Sequence, residues 1–133
     1  MYLETALLAL LVFQEARAEP FLGQVAVAEV VLNRTTQACY PDSVKKVIKQ
    51  PYQFSGVGAK GIPQTPNQAK KLDRDAFSKA EIAVQIAIQY ARERKSKYST
   101  ATHFHSTSIR PKWAKQKYYV GTVGNHKFYR LPC

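Results

Sequence analysis

Leu3, Leu7, Leu10, Leu11 and Gln14 recur at three- and four-residue steps, which predicts a helix with a strongly apolar face running to about Arg17. Pro20 ends it, because a proline breaks the helical hydrogen-bond ladder. Val25, Ala28, Val31 and Leu32 keep a helical period through 21–34. So many valines would also suit a buried strand, but the stretch is longer than most strands, and a second helix is expected. Val44, Val47 and Ile48 follow Asp42 and predict a short helix capped by Asp42 and ended by Pro51. From Pro51 to Gln68 periodicity fades among Gly56, Gly58, Gly61, Pro63 and Pro66. A long loop is expected, with a short strand at Gln53-Phe54-Ser55, and long loops in compact domains are more often functional than accidental. The most regular pattern spans 74–94, where Phe77, Ala80, Val84, Ala87 or Ile88, and Ala91 form one stripe. Asp73 or Asp75 stands at its start and Arg92 to Lys97 supply positive charge at its end. Late in the chain, 101–105 and 125–130 alternate as short strands do. The expected fold class is α+β, mostly helical, with a small β-hairpin or sheet near the end.

Composition narrows this picture. With 133 residues, 45% hydrophobic and 22% charged, the chain fits one folded domain over 1–133 and not a disordered segment. Its net charge of +11 favours an anionic partner. The charge is uneven: 1–44 hold two basic and five acidic side chains, a net −3, which leaves +14 for the remainder. Such an acidic patch on a basic body suits carboxylate chemistry on an anionic substrate, and equally suits plain solubility.

Two cysteines occur, Cys39 and Cys133, neither with a metal-ligand spacing beside it, which excludes a zinc finger. A bridge requires an oxidising compartment; two free thiols are the expected state. Leu7 to Phe13 followed by Ala16-Arg17-Ala18 imitates a signal peptide, but Met1-Tyr2-Leu3-Glu4 lacks the positive charge of one and the apolar run is too short to span a bilayer. It reads as a core helix, so neither a leader nor an integral membrane segment is expected.

Glu15 is the most informative polar residue, since it closes a helix that is otherwise almost wholly apolar. An apolar setting disfavours the carboxylate and lets a glutamic acid hold a proton near neutral pH, which is what a general acid needs. The structural alternative is a helix-end carboxylate paired with Arg17 or Arg34. Glu19 stands four residues on, though Pro20 makes a shared helical face doubtful. Two carboxyls across a cleft are the usual apparatus of glycoside hydrolysis. His103, His105 and His126 invite a metal reading, that of a zinc amidase, but no acidic residue follows Glu93 and no zinc-protease motif occurs; no metal and no cofactor are expected. Phe104, Trp113, Tyr118, Tyr119, Phe128 and Tyr129, interleaved with Arg110, Lys112, Lys115 and Lys117, suit stacking on sugar rings and also a single-stranded nucleic-acid groove.

Blocks along most of the chain resemble the SleB/CwlJ-type cell wall hydrolases, the spore cortex-lytic enzymes and their bacterial and phage relatives. They are Glu15 to Pro20, Gly23 to Ala28, Val31 to Arg34, Tyr40-Pro41, Gln53-Phe54-Ser55, Ala101 to Phe104, Trp113 and Gly124 to Tyr129, in that order. The resemblance implies a lysozyme-like domain that cuts the peptidoglycan glycan strand between N-acetylmuramic acid and N-acetylglucosamine. A lytic transglycosylase outcome is favoured over a hydrolytic muramidase, and both over an amidase. It implies Glu15 as the catalytic acid, with Glu19 assisting, and Gln53, Phe54, Ser55, His103, Phe104 and Trp113 at the substrate cleft. The implied partners are glycan strands and the anionic cell envelope, with no nucleic acid, and a monomer is the expected form. The site of action is the bacterial wall, periplasmic or extracellular, and a short basic chain without a leader suits a phage lysin released at lysis. One departure is Ala18, where the family usually has glycine; alanine does not tolerate positive φ cheaply, so the turn into Pro20 is expected to be tighter or more helical.

Overall fold

The computed structural model describes residues 2–50 and 53–133. Five helices, α1 (Tyr2–Ala16), α2 (Phe21–Arg34), α3 (Val44–Ile48), α4 (Pro66–Leu72) and α5 (Arg74–Glu93), precede three strands, β1 (His103–Ser106), β2 (Tyr119–Val123) and β3 (His126–Tyr129). A 3₁₀ turn, Gln116–Tyr118, leads into β2. The chain is therefore α+β and mostly helical with a small sheet, as its pattern predicts.

The first helix is more deeply placed than a one-faced helix would be. Leu8 to Phe13 are all buried, because α1 runs through the middle of the molecule with α2, α3, α4 and α5 packed around it. The second helix is likewise almost wholly buried, which is why its valines and alanines read ambiguously. The fifth is amphipathic, burying Phe77, Ala80, Ala83, Val84 and Ala87 against α1 and α2. Its N-cap is Asp73, whose carboxylate accepts from Ala76 N at 3.0 Å.

Three local expectations change. Ser43, not Asp42, caps α3 by accepting from Lys46 N, while Asp42 makes an exposed pair with Lys46 at 3.8 Å. Pro51, expected to end that helix, lies outside the described residues, as does the side chain of Leu3. Gln53 to Ser55 form no strand; they belong to an irregular loop whose Phe54 meets the sheet through its ring and not through a backbone ladder. That loop ends at Pro66, because Thr65 accepts from Gln68 N at 3.1 Å and Pro66 opens α4 at a position where a proline costs no hydrogen bond.

The sheet is antiparallel in the order β1-β3-β2, with His103 opposite Tyr129 and Val123 opposite His126. The end of α2 docks it onto the helices. Asn33 Nδ2 donates to Ala101 O at 2.7 Å and to Tyr98 O at 3.0 Å, and Arg34 Nε donates to Thr102 O at 2.7 Å. Cys39 and Cys133 are joined in a disulfide across a sequence separation of 94. Free thiols were expected because neither cysteine shows a partner locally. The bond exists because Arg130 N, on Tyr118 O, and Leu131 N, on Thr102 Oγ1, lead the C-terminus back to the segment after α2, where the two Cα atoms lie 5.6 Å apart. No helix among the described residues is long and apolar enough to cross a membrane.

Candidate active site

Between the end of α1 and the sheet lies a groove of about 840 Å³. Its helix side carries Gln14 and Glu15 and its loop side Gln53, Phe54, Ser55 and Val57. Its sheet side carries Phe104, His105, Ser106 and His126, with Ile109, Pro111 and Trp113 at the rim. Phe54 stacks on Phe104 with centroids 6.3 Å apart, so the loop and the sheet meet across an apolar floor.

Glu15 is the one carboxylate among these lining residues. It is half-buried, and its Oε2 accepts from Gly56 N at 3.0 Å. Burial pushes its pKa above the ordinary carboxylate value, and the backbone N–H groups of Gly56 and Ser55 oppose that rise without cancelling it. Glu15 makes no ion pair among the described residues. Arg17 instead lies over the Phe13 ring at 5.1 Å. Arg34 is 3% exposed, with its guanidinium between the rings of Tyr40 and Phe54 at 5.1 and 5.3 Å and Nη1 donating to Gln53 Oε1 at 2.9 Å. Arg34 thereby ties the loop that meets Glu15 to the strand that faces it.

The other expected residues divide. Gln53, Phe54, Ser55, Phe104 and Trp113 line the groove with Glu15. His103 does not; its ring lies behind Trp113 at 4.9 Å and near Tyr40 at 6.4 Å, and burial, with the charge of Arg34, lowers its pKa to about 4. Glu19 also lies outside the groove. It shares with Glu15 only an adjoining depression of about 330 Å³ that reaches Pro63 and Leu72. Its carboxylate is 8% exposed and accepts from Asn125 N at 2.7 Å and Asn125 Nδ2 at 3.4 Å, pinning the β2–β3 turn. Glu19 thus does not enter the groove with Glu15, although both border the adjoining depression. Ala18 meets no strain in the turn into Pro20: among the described residues Arg94 is the sole non-glycine at positive φ.

Gln14 is a groove residue that sequence reasoning did not select, and His105 and His126, weighed there only as metal ligands, line the groove as well. The alternation of 125–130 placed His126 on the same strand face as Phe128, and that was the available signal. Among the described residues no three His, Cys, Asp or Glu side chains converge as metal ligands, so the donor set of a zinc amidase is not assembled there.

The fold that carries this groove is shared with solved catalytic domains. The catalytic domain of Bacillus cereus SleB superposes with a TM-score of 0.77 at 32% identity, covering 98% of this chain and 91% of that one. The catalytic domain of the germination-specific lytic transglycosylase SleB from Bacillus anthracis gives 0.69 at 28% identity, covering 96% and 93%. The cell wall hydrolase family model matches residues 18–129, and the chain belongs to that family. The spore cortex-lytic enzyme of Bacillus cereus is 49% identical over 73 residues, and that of Bacillus subtilis 45% identical over 65. These stretches are 54% and 49% of this chain but 28% and 21% of the relatives, so the match spans less than a third of their length.

Proposed function

We propose that this chain is a lytic transglycosylase that cleaves the peptidoglycan glycan strand between N-acetylmuramic acid and N-acetylglucosamine, with Glu15 as its proton donor. The observation that carries the reading is a single, partly desolvated carboxyl in the groove, the second carboxylate, Glu19, bordering only the adjoining depression and accepting from Asn125. Protonated Glu15 gives its proton to the glycosidic oxygen and the C1–O bond breaks. The muramic acid's own C6 hydroxyl then closes on C1 and returns its proton to the Glu15 carboxylate, leaving a 1,6-anhydro sugar. No water and no second carboxyl take part, whereas a hydrolase needs water activated or a covalent partner supplied.

Glu15 also borders both the groove and the adjoining depression, so a polymer crossing from one to the other passes the acid with sugars on either side. Phe54, Phe104 and Trp113 offer faces to sugar rings, and Gln53 and Ser55 offer polar contacts. The names of the relatives, spore cortex-lytic enzymes and a lytic transglycosylase domain, support the same substrate. A disulfide fits work outside the cytoplasm, and +14 on residues 45–133 fits a wall rich in carboxylates and phosphates.

The test is mass spectrometry of purified sacculi digested by the wild type and by Glu15→Gln. Anhydro-muramic ends from the wild type and none from the variant are expected. Reducing ends alone would replace the transglycosylase by a muramidase, released stem peptides would point to an amidase, and full activity of Glu15→Gln would remove Glu15 from the chemistry.

A further inference from the structure

Three imidazoles stand in or behind the groove, and two are committed. His103 Nδ1 lies 3.0 Å from Thr102 Oγ1. His105 has Nδ1 2.7 Å from Ser106 O and Nε2 3.0 Å from the Tyr129 hydroxyl. A carbonyl only accepts, so His105 carries its proton on Nδ1 and receives the tyrosine hydroxyl on Nε2.

His126 is different. It lines the groove, is 8% exposed, and its Nδ1 is shut away from solvent with no hydrogen-bond partner. Its position is nevertheless strongly determined. The ring packs on Phe104 at 5.0 Å and Phe128 at 6.3 Å, and the backbone is paired with Ser106 on one side and Val123 on the other. The turn before it is held by Glu19 through Asn125, and Gly124, at φ +55, admits no side chain, since a Cβ there would fall 2.5 Å from Glu19 Oε1 and 2.6 Å from Pro20 Cδ. With Nδ1 sealed off, Nε2 is the nitrogen left to meet a ligand, and a ring fixed this firmly in the lining of a groove is suited to present it.

We propose that His126 hydrogen-bonds an N-acetylated hexosamine of the glycan from the sheet side of the groove, across from Glu15, and that Glu19 is the positioning residue that holds it there. The proposal rests on the glycan-cleaving reading. Burial lowers the His126 pKa, the neighbouring His105 adds to that, and Glu19 opposes it; the other rings against it, Phe104 and Phe128, carry no charge. Near neutral pH the ring is then uncharged, and Nε2 donates or accepts according to the tautomer, which matches a sugar hydroxyl or an acetamido group.

Binding of a soluble four-sugar glycan fragment to the Glu15→Gln protein, alone and with His126→Phe added, reads the contact without catalysis. His126→Phe is expected to weaken binding at least tenfold, and in the otherwise wild-type protein to raise KM more than it lowers kcat. The thermal midpoint should stay level or rise, because a carbon replaces an unpartnered nitrogen; His126→Gln should recover part of the affinity. Unchanged affinity and KM in His126→Phe would overturn the proposal, as would a fall in midpoint that accounts for the whole loss with His126→Gln equally impaired. Glu19→Ala should raise KM, with Glu19→Gln restoring it; a change in the pH limb of kcat with KM untouched would overturn the positioning role. Full activity of Glu15→Gln would count against the acid assignment alone, since the binding measurement does not depend on it.

Discussion

The protonation of Glu15 is decided by two opposed local effects. Partial burial raises the pKa, and the backbone donors at Ser55 and Gly56 pull it back, so the loop tunes the acid as well as walling the groove. The sign for activity follows directly. A general acid works while protonated, so kcat should fall as pH rises through the raised pKa of Glu15, with an alkaline limb above the usual carboxylate range; a limb at an ordinary carboxylate pKa would contradict the desolvated setting. Gly56 is where this tuning is most open to challenge, because a Cβ there would lie 2.8 Å from Glu15 Oε2 and 2.9 Å from Gln14 Cβ. Gly56→Ala must therefore push the carboxyl off its donor. At least a tenfold loss of kcat is expected with the thermal midpoint lowered only slightly, measured by turbidity clearance and thermal denaturation. At this scale the sequence revealed Glu15 through its apolar neighbours. It named His126 only as a metal candidate and gave no sign that Glu19 meets Asn125, because that contact joins residues 106 apart in the chain.

Among the elements, legibility followed the range of the forces that form them. α1, α2 and α5 were readable because their periodicity is a local record of burial. α4 was hidden in a loop rich in glycine and proline, although Thr65-Pro66 is a cap followed by a first-turn proline. β2 was missed because it is irregular, with a register shift between Tyr119 and Gly121, and exists by pairing with β3. The second helix also holds a feature that no pattern marked. Glu29 is 1% exposed, accepts from Ser96 Oγ at 2.9 Å, and leaves Oε1 without a partner. Burial raises its pKa to about 7, opposed by the hydrogen bond from Ser96. The folded value lies above the unfolded one, so the native state binds the extra proton, and stability is lost as pH rises from about 4.5 through about 7. The loss attributable to this group is about 3 kcal/mol. Glu29→Gln keeps the shape and the hydroxyl partner without the ionisation. In urea unfolding it should be more stable than the wild type at pH 8 and about equal at pH 5; a difference independent of pH would show that Glu29 does not titrate in this range.

For the molecule as a whole, the disulfide does what the small sheet cannot do alone. Three strands of four or five residues dock on the helices through Asn33 and Arg34, while the C-terminal segment beyond Tyr129 has few buried side chains of its own. Joining Cys133 to Cys39 closes a loop across a separation of 94 and restricts the unfolded chain accordingly. In the chain-entropy account, closure of so long a loop corresponds to about 4–5 kcal/mol, and natural bridges commonly contribute about 2–5 kcal/mol. For a chain of this size about 3 kcal/mol moves the midpoint by roughly 10 °C. Neither cysteine lines the groove, so the Cys39→Ser, Cys133→Ser protein should melt about 10 °C lower while its KM for sacculi at 20 °C stays within twofold. Reduction of the wild type should reproduce that drop and leave the double variant unaffected. Equal midpoints before and after reduction would mean that the C-terminus is held by its backbone bonds to Thr102 and Tyr118 alone. A large KM change at full stability would mean instead that the bridge shapes the groove, through Tyr40 and the Arg34 guanidinium it covers.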